Sequence, residues 1–144
     1  MAVWLPYDAF KTAQFNGNAL DFDTGATLKL ALVTSSYTPN RATDDFWDDV
    51  VANEVSGTNY VAGGTALSTK TLTINANTLT FDADDITFNQ DAGGFTNARY
   101  AILYNDDAGG DASSRLVAYN DLVSDRGNVN SNLVLQFPNG IFTV

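Results

Sequence analysis

The chain has 144 residues, a net charge of -10, 17 carboxylates against 7 basic side chains, and no histidine or cysteine. Those absences exclude a side chain that titrates near neutral pH unperturbed, a thiolate nucleophile, a disulfide and the usual kind of zinc site. The charge argues against nucleic acid and anionic membrane as partners, because both are bound through local positive charge.

The seven basic residues are scattered, at Lys11, Lys29, Arg41, Lys70, Arg99, Arg115 and Arg126. A hydrophobic content of 44% is enough for a real core. The length fits a single domain, residues 1–144. No apolar run approaches the ~20 residues that a membrane span needs. Met1–Phe10 lacks the basic region and long apolar stretch of a leader peptide.

In chain order, Pro6–Asn16 reads as a short helix, with Pro near its start and Gly17 just past its end. Thr27–Val33 alternates, with Leu28, Leu30 and Leu32 on one face and Lys29 on the other, which predicts a half-buried strand. Thr43–Val55 reads as a second helix, regular over about 44–55. Thr43 serves as its cap, and Asp44 and Asp45 favour the positive N-terminal end. Phe46/Val50 and Trp47/Val51 are spaced by four. Thr71–Ile74 and Leu79–Phe81 form a predicted hairpin around Asn75-Ala76-Asn77. Ile86 and Phe88 continue the strand pattern. Arg99–Tyr104 is apolar on both faces and belongs inside a packed sheet. Arg115–Tyr119, Leu133–Phe137 and Ile141–Val144 complete the strands, with turns at Asp91–Gly94, Asn105–Asp111 and Ser124–Ser131. The expected fold is mainly β: a single antiparallel β-sandwich-like domain with one or two short helices.

Site chemistry rests on the aspartates. Asp21-Phe22-Asp23-Thr24-Gly25 starts like a calcium loop, but its Gly is fifth and its twelfth residue is Leu32 rather than Glu. Asp82, Asp84 and Asp85 lie between strands, and Asp106, Asp107 and Asp111 lie in a Gly-rich loop. Turn capping and surface hydration explain them, with calcium as the alternative. A glycosidase needs two carboxyls held ~5–9 Å apart, and no pair stands out. A Ser-Lys pair through Lys29 or Lys70 loses to the solvent-face reading of both lysines. Glu54–Gly64 lacks the Gly-Lys-Ser/Thr ending of a P-loop and the G-x-G-x-x-G spacing, and reads as a loop closing over a sheet edge. Tyr37, Tyr60 and Phe95 fall in or near loops, where exposed rings would bind sugar or protein. Tyr100, Tyr104 and Tyr119 read as core or core edge. No catalytic, cofactor-binding or metal-binding residue is assigned, and no cofactor is expected.

Leu30–Asn40, the acidic segment with Phe46 and Trp47, Glu54–Gly64, Arg99–Asp106 and the closing Gly140–Val144 resemble a family of small virion structural proteins of tailed bacteriophages. The chain looks most like the capsid decoration (cement) proteins of that family, from about Leu28 onward. The resemblance implies a non-catalytic protein, not an enzyme, that binds the outer surface of the assembled head and stabilises it. Its partner would be the major capsid protein lattice, met by a homo-oligomer or by many copies, with no nucleic acid and no membrane involved. Assembly would take place in the host cytoplasm and the final location would be the capsid outer surface. A tail or head-tail connection protein is the alternative, as is a β-sandwich that binds host glycan or protein through Tyr37 and Tyr60. No residue is assigned to capsid contact.

Overall fold

The computed structural model describes residues 3–144. Met1 and Ala2, which open both the predicted domain and the segment read for a leader, lie outside the described residues. The elements in chain order are β1 (Leu5–Pro6), α1 (Asp8–Phe15), β2 (Leu28–Val33), β3 (Thr65–Ala66), β4 (Thr71–Asn75), β5 (Thr78–Asp82), β6 (Ile86–Phe88), β7 (Ala98–Asn105), β8 (Leu116–Arg126), β9 (Leu133–Leu135) and β10 (Phe142–Thr143). They make three antiparallel sheets, in the orders β1-β8-β7-β2-β3, β10-β5-β4 and β6-β9. The fold is mainly β and sandwich-like, with one α-helix among the described residues.

β7 forms the middle of the largest sheet, and its apolar residues are dry on both sides. Ala101 and Leu103 enter one core with Leu28, Leu30 and Leu32 of β2. Ile102 and Tyr104 enter a second core with Ala31 and Val33. The half-buried reading of Thr27–Val33 is therefore corrected: only Lys29 in β2 escapes full burial. The cause is tertiary. Residues 34–55 fold back over the second face and bring Tyr37, Trp47 and Val50 onto it. The first face is covered by the smaller sheets, through Phe81, Ile86, Phe88, Leu135, Phe137 and Ile141. Burying each large aliphatic or aromatic side chain stabilises the fold by about 1.5–3 kcal/mol.

The helix expected over about 44–55 is absent. Its backbone is taken by the sheet instead. Phe46 is extended and bridges Arg115. The Trp47 N–H donates to the Ser114 carbonyl at 2.8 Å, and the Leu116 N–H donates to the Asp45 carbonyl at 3.0 Å. The Asp49 carboxylate accepts the Asp45 N–H at 2.9 Å, holding the chain away from an α-helical start. Two 3-10 turns follow, Trp47–Asp49 and Val51–Asn53. A 3-10 turn aligns residues three apart, and Trp47 and Val50 are indeed both buried. The period of four in the sequence led elsewhere.

The first helix is shorter than Pro6–Asn16. Pro6 lies in β1 opposite Ala118, its carbonyl accepts Arg41 Nε at 2.9 Å, and the next N–H, on Tyr7, donates to the Val117 carbonyl. The helix then runs Asp8–Phe15 and ends as expected at Gly17, whose φ of +90° favours glycine. The turn expected over Ser124–Ser131 is in part strand, because β8 runs on to Arg126 and pairs there with Ala98. Register shifts let β8 carry extra residues against β7 on both sides of the Tyr100–Leu103 stretch. Asp121 anchors one of them, gripped by Arg99 at 2.7 and 3.1 Å. The hairpin β4-β5 turns on Ala76 and Asn77, with φ of +48° and +67°. Two successive positive φ values make the tight turn that suits strand twist.

Leu30→Ala and Leu103→Ala should each cost about 2–5 kcal/mol in chemical denaturation. Thr73→Ala on exposed β4 should stay within about 0.5 kcal/mol. Similar losses at all three sites would contradict the assignment of faces.

Candidate interaction surface

The three-stranded sheet is amphipathic in an unusually clean way. Register places Leu72 opposite Phe81, Ile74 opposite Leu79, and Phe142 opposite Phe81, so all five side chains share one face. Val144 joins them, because its backbone exchanges two hydrogen bonds with Leu79. The other face carries Thr71, Thr73, Thr78, Thr80 and Thr143. Phe81 is buried, and Phe142 packs on the core. The outer part of the apolar face is left uncovered: Ile74 is 76% exposed and Val144 87%. β4 is also the last strand of its sheet, so its outer backbone edge has no strand partner among the described residues.

This face forms one wall of an open groove of about 1300 Å³. The opposite wall comes from α1 and the segment before it, including Val3, Phe10 and Phe15; Leu133, Val134 and Phe137 complete the groove. Phe15 stands 93% exposed at the rim. Edge-on rings hold the floor: Phe22 meets Phe81 at 4.9 Å and Phe10 at 5.6 Å between centroids. Small-molecule sites hold roughly 300–1,000 Å³, so this groove is sized for a polypeptide. A contiguous apolar surface of this kind is a candidate contact site.

Charge is arranged around the groove. No Asp or Glu side chain lines it, although the chain carries 17 carboxylates. The charged side chains in its lining, among the described residues, are Lys11 and Arg126. Lys11 is paired with Asp8 one turn earlier in α1. Arg126 makes no ion pair with any described residue.

The aspartates singled out in the sequence are spread over separate turns. Asp21 accepts the Thr24 hydroxyl at 2.8 Å. Asp84 accepts the hydroxyls of Ser68 and Thr69. Asp85 accepts the Phe137 N–H at 2.9 Å, and Asp107 the Thr27 N–H at 2.7 Å. Asp106 pairs with Lys29 at 2.7 Å. Among the described residues, no three acidic side chains converge on a point that could hold a metal. Lys70, which lies just before β4 rather than in a strand, donates to the Ala26 carbonyl, so both lysines have local acceptors.

The row of exposed rings is not formed. Tyr37 and Phe95 are buried, and Tyr60 packs between Phe88 and Phe95. Tyr37 donates to the Asp44 carboxylate at 2.7 Å. Its own oxygen then accepts from Tyr7 at 2.8 Å, since its proton is already committed. Tyr60 donates to Glu54 at 2.6 Å and accepts the Leu32 N–H. Glu54 also takes the Gly63 N–H at 2.7 Å. The Glu54–Gly64 segment thus closes over the edge of β2, and a Cβ on Gly64 would lie 2.2 Å from the Leu30 carbonyl oxygen. Tyr104 stacks on Trp47 at 4.5 Å and donates to the Gly63 carbonyl. Tyr37, Trp47 and Tyr104 belong to the covered second face of the large sheet, whereas Phe95 and Tyr60 pack in the first core.

No groove is assigned from the sequence, yet its signal is in the strands: Thr71-Leu72-Thr73-Ile74 and Thr78-Leu79-Thr80-Phe81 share one period-two pattern. What the pattern omits is how far the covering helix extends.

Burial raises the pKa of Tyr7, Tyr37, Tyr60 and Tyr104, with the Asp44 and Glu54 carboxylates adding to it at Tyr37 and Tyr60. Each phenol keeps its proton in the folded chain at a pH where the unfolded chain loses it. Stability is therefore unaffected below the unfolded value of about 10 and falls as pH rises past it. In an alkaline titration followed at the phenolate absorbance band, these four tyrosines should ionise only together with loss of the β-sheet circular dichroism signal. Gradual ionisation of all tyrosines with the sheet intact would contradict the buried networks.

No family model, curated protein or solved structure matches the chain.

Proposed function

We propose that this chain is a non-catalytic structural protein of a tailed-phage virion, a decoration protein that attaches to the outside of the assembled head and stabilises it. The single observation that carries the attachment is the polypeptide-sized apolar groove, free of Asp and Glu side chains, on a chain of net charge -10. The choice of partner rests on the family resemblance of Leu30–Asn40, Glu54–Gly64 and Arg99–Asp106. Burial of Tyr37 and the packing of the half-buried Tyr60 between Phe88 and Phe95 weigh against glycan binding through these two rings.

A decoration protein gains affinity from surfaces that exist only in the lattice, because several modest contacts act together. The chain should co-sediment with expanded capsids of the phage it is proposed to belong to, and bind isolated capsid subunits poorly. It should also raise the temperature at which particles rupture, since binding stabilises the state that is bound. Raising salt from about 0.1 to 0.5 M should weaken attachment little, because screening acts on exposed charge pairs rather than on apolar contact. Location in the tail, or equal affinity for free subunits and shells, would overturn the reading in favour of a tail or head-tail connection role.

A further inference from the structure

We propose that the groove between α1 and the β10-β5-β4 sheet takes an apolar segment of a partner protein that carries one carboxylate, and that Arg126 receives that carboxylate. The inference deepens the attachment role above and rests on it only for the identity of the partner.

Three observations select the occupant. The groove is larger than small-molecule sites, at about 1300 Å³, which fits a stretch of polypeptide. Its walls are apolar and wet: Phe15 and Val134 both line it and stand exposed. The third is charge. Asp and Glu side chains are absent from the lining of a strongly acidic chain, and Lys11 and Arg126 are its charged side chains. Lys11 already has Asp8 at 2.5 Å. Arg126 lines the groove at an exposed position and makes no ion pair with any described residue. Guanidinium groups bind carboxylates in paired hydrogen bonds. A second copy of this chain is the poorer occupant. It brings the same two cations to the contact and a further net charge of -10, and like charges oppose association.

The test uses the full chain and fluorescein-labelled peptides about seven residues long, roughly the length of a strand. They alternate valine with threonine and carry aspartate, asparagine or lysine at the centre. Fluorescence anisotropy should rank them aspartate, asparagine, lysine, with about a fivefold step for the charge, the scale of an exposed ion pair. Arg126→Glu should reverse the order of the aspartate and lysine peptides. Phe15→Ser and Val134→Ser, at exposed positions where folding is not at stake, should weaken all three by about tenfold, as loss of an apolar anchor does. Thermal melts of each variant check that the fold persists. The proposal is overturned if the peptides bind equally, if none binds below about 1 mM, or if Arg126→Glu leaves the order unchanged. It is also overturned if sedimentation shows a dimer that Phe15→Ser dissolves, because the groove is then filled by a second copy. Capsid co-sedimentation reads the attachment role separately: loss of peptide selectivity with intact capsid binding refutes the groove, and the converse refutes the role.

Discussion

A strand with no wet face obliges the chain to cover its sheet twice, and β7 is such a strand. Its residues from Ala101 to Asn105 are buried, so both sides of the five-stranded sheet must be sealed. The two seals differ in kind. On one side residues 34–55 close down with Trp47 stacked on Tyr104, the Tyr7-Tyr37-Asp44 hydrogen bonds and Arg41 held to Pro6. That cover is polar at its back, and its buried hydroxyls are satisfied. On the other side the seal is two small sheets and a helix, joined by rings and aliphatic side chains. The buried Asn128 pins its loops, accepting the Phe95 N–H and donating to the Thr58 and Asn89 carbonyls. This second cover extends beyond the sheet it protects, and the overhang is the groove.

The separation of charge from apolar surface follows the same division of labour. Many carboxylates are used locally, as acceptors for turn N–H groups and hydroxyls or as partners of Lys29 and Arg99. Short Asp side chains suit that work because they reach the backbone a few residues away. The consequence is an acidic chain with a groove whose lining carries no Asp or Glu side chain. There, burial of apolar area supplies the driving force for association, while net repulsion elsewhere discourages nonspecific self-contact. Both properties suit the proposed attachment in many copies.

Period two made most of the sheet legible. Leu28, Leu30, Leu32 and Leu135 are buried as their alternation implies, and Ile102 as an all-apolar strand implies. The Asn75-Ala76-Asn77 break is a hairpin turn, and Gly17 ends the helix. The failures have identifiable causes. β1 and β3 are two residues long each and leave no pattern to read. The polar end of β8 is strand only because β7 offers it a ladder and Arg99 an anchor. The acidic stretch around Phe46 had a helical spacing, but Ser114 and Asp45 backbone pairing outweighed it. Tyr37 and Phe95 sit in segments that read as loops, and tertiary closure buried them. For the groove, the alternating threonines were visible, but whether the apolar side would be fully covered depended on how α1 packs across it.

The most direct test of the account is hydrogen–deuterium exchange of the chain free in solution and bound to intact particles. Attachment through the groove predicts new protection in 8–22, 71–82 and 133–144, with the 34–55 cover exchanging as it does in the free chain. Protection confined to the acidic turn around Asp44–Asp49, with the groove segments unchanged, would contradict it.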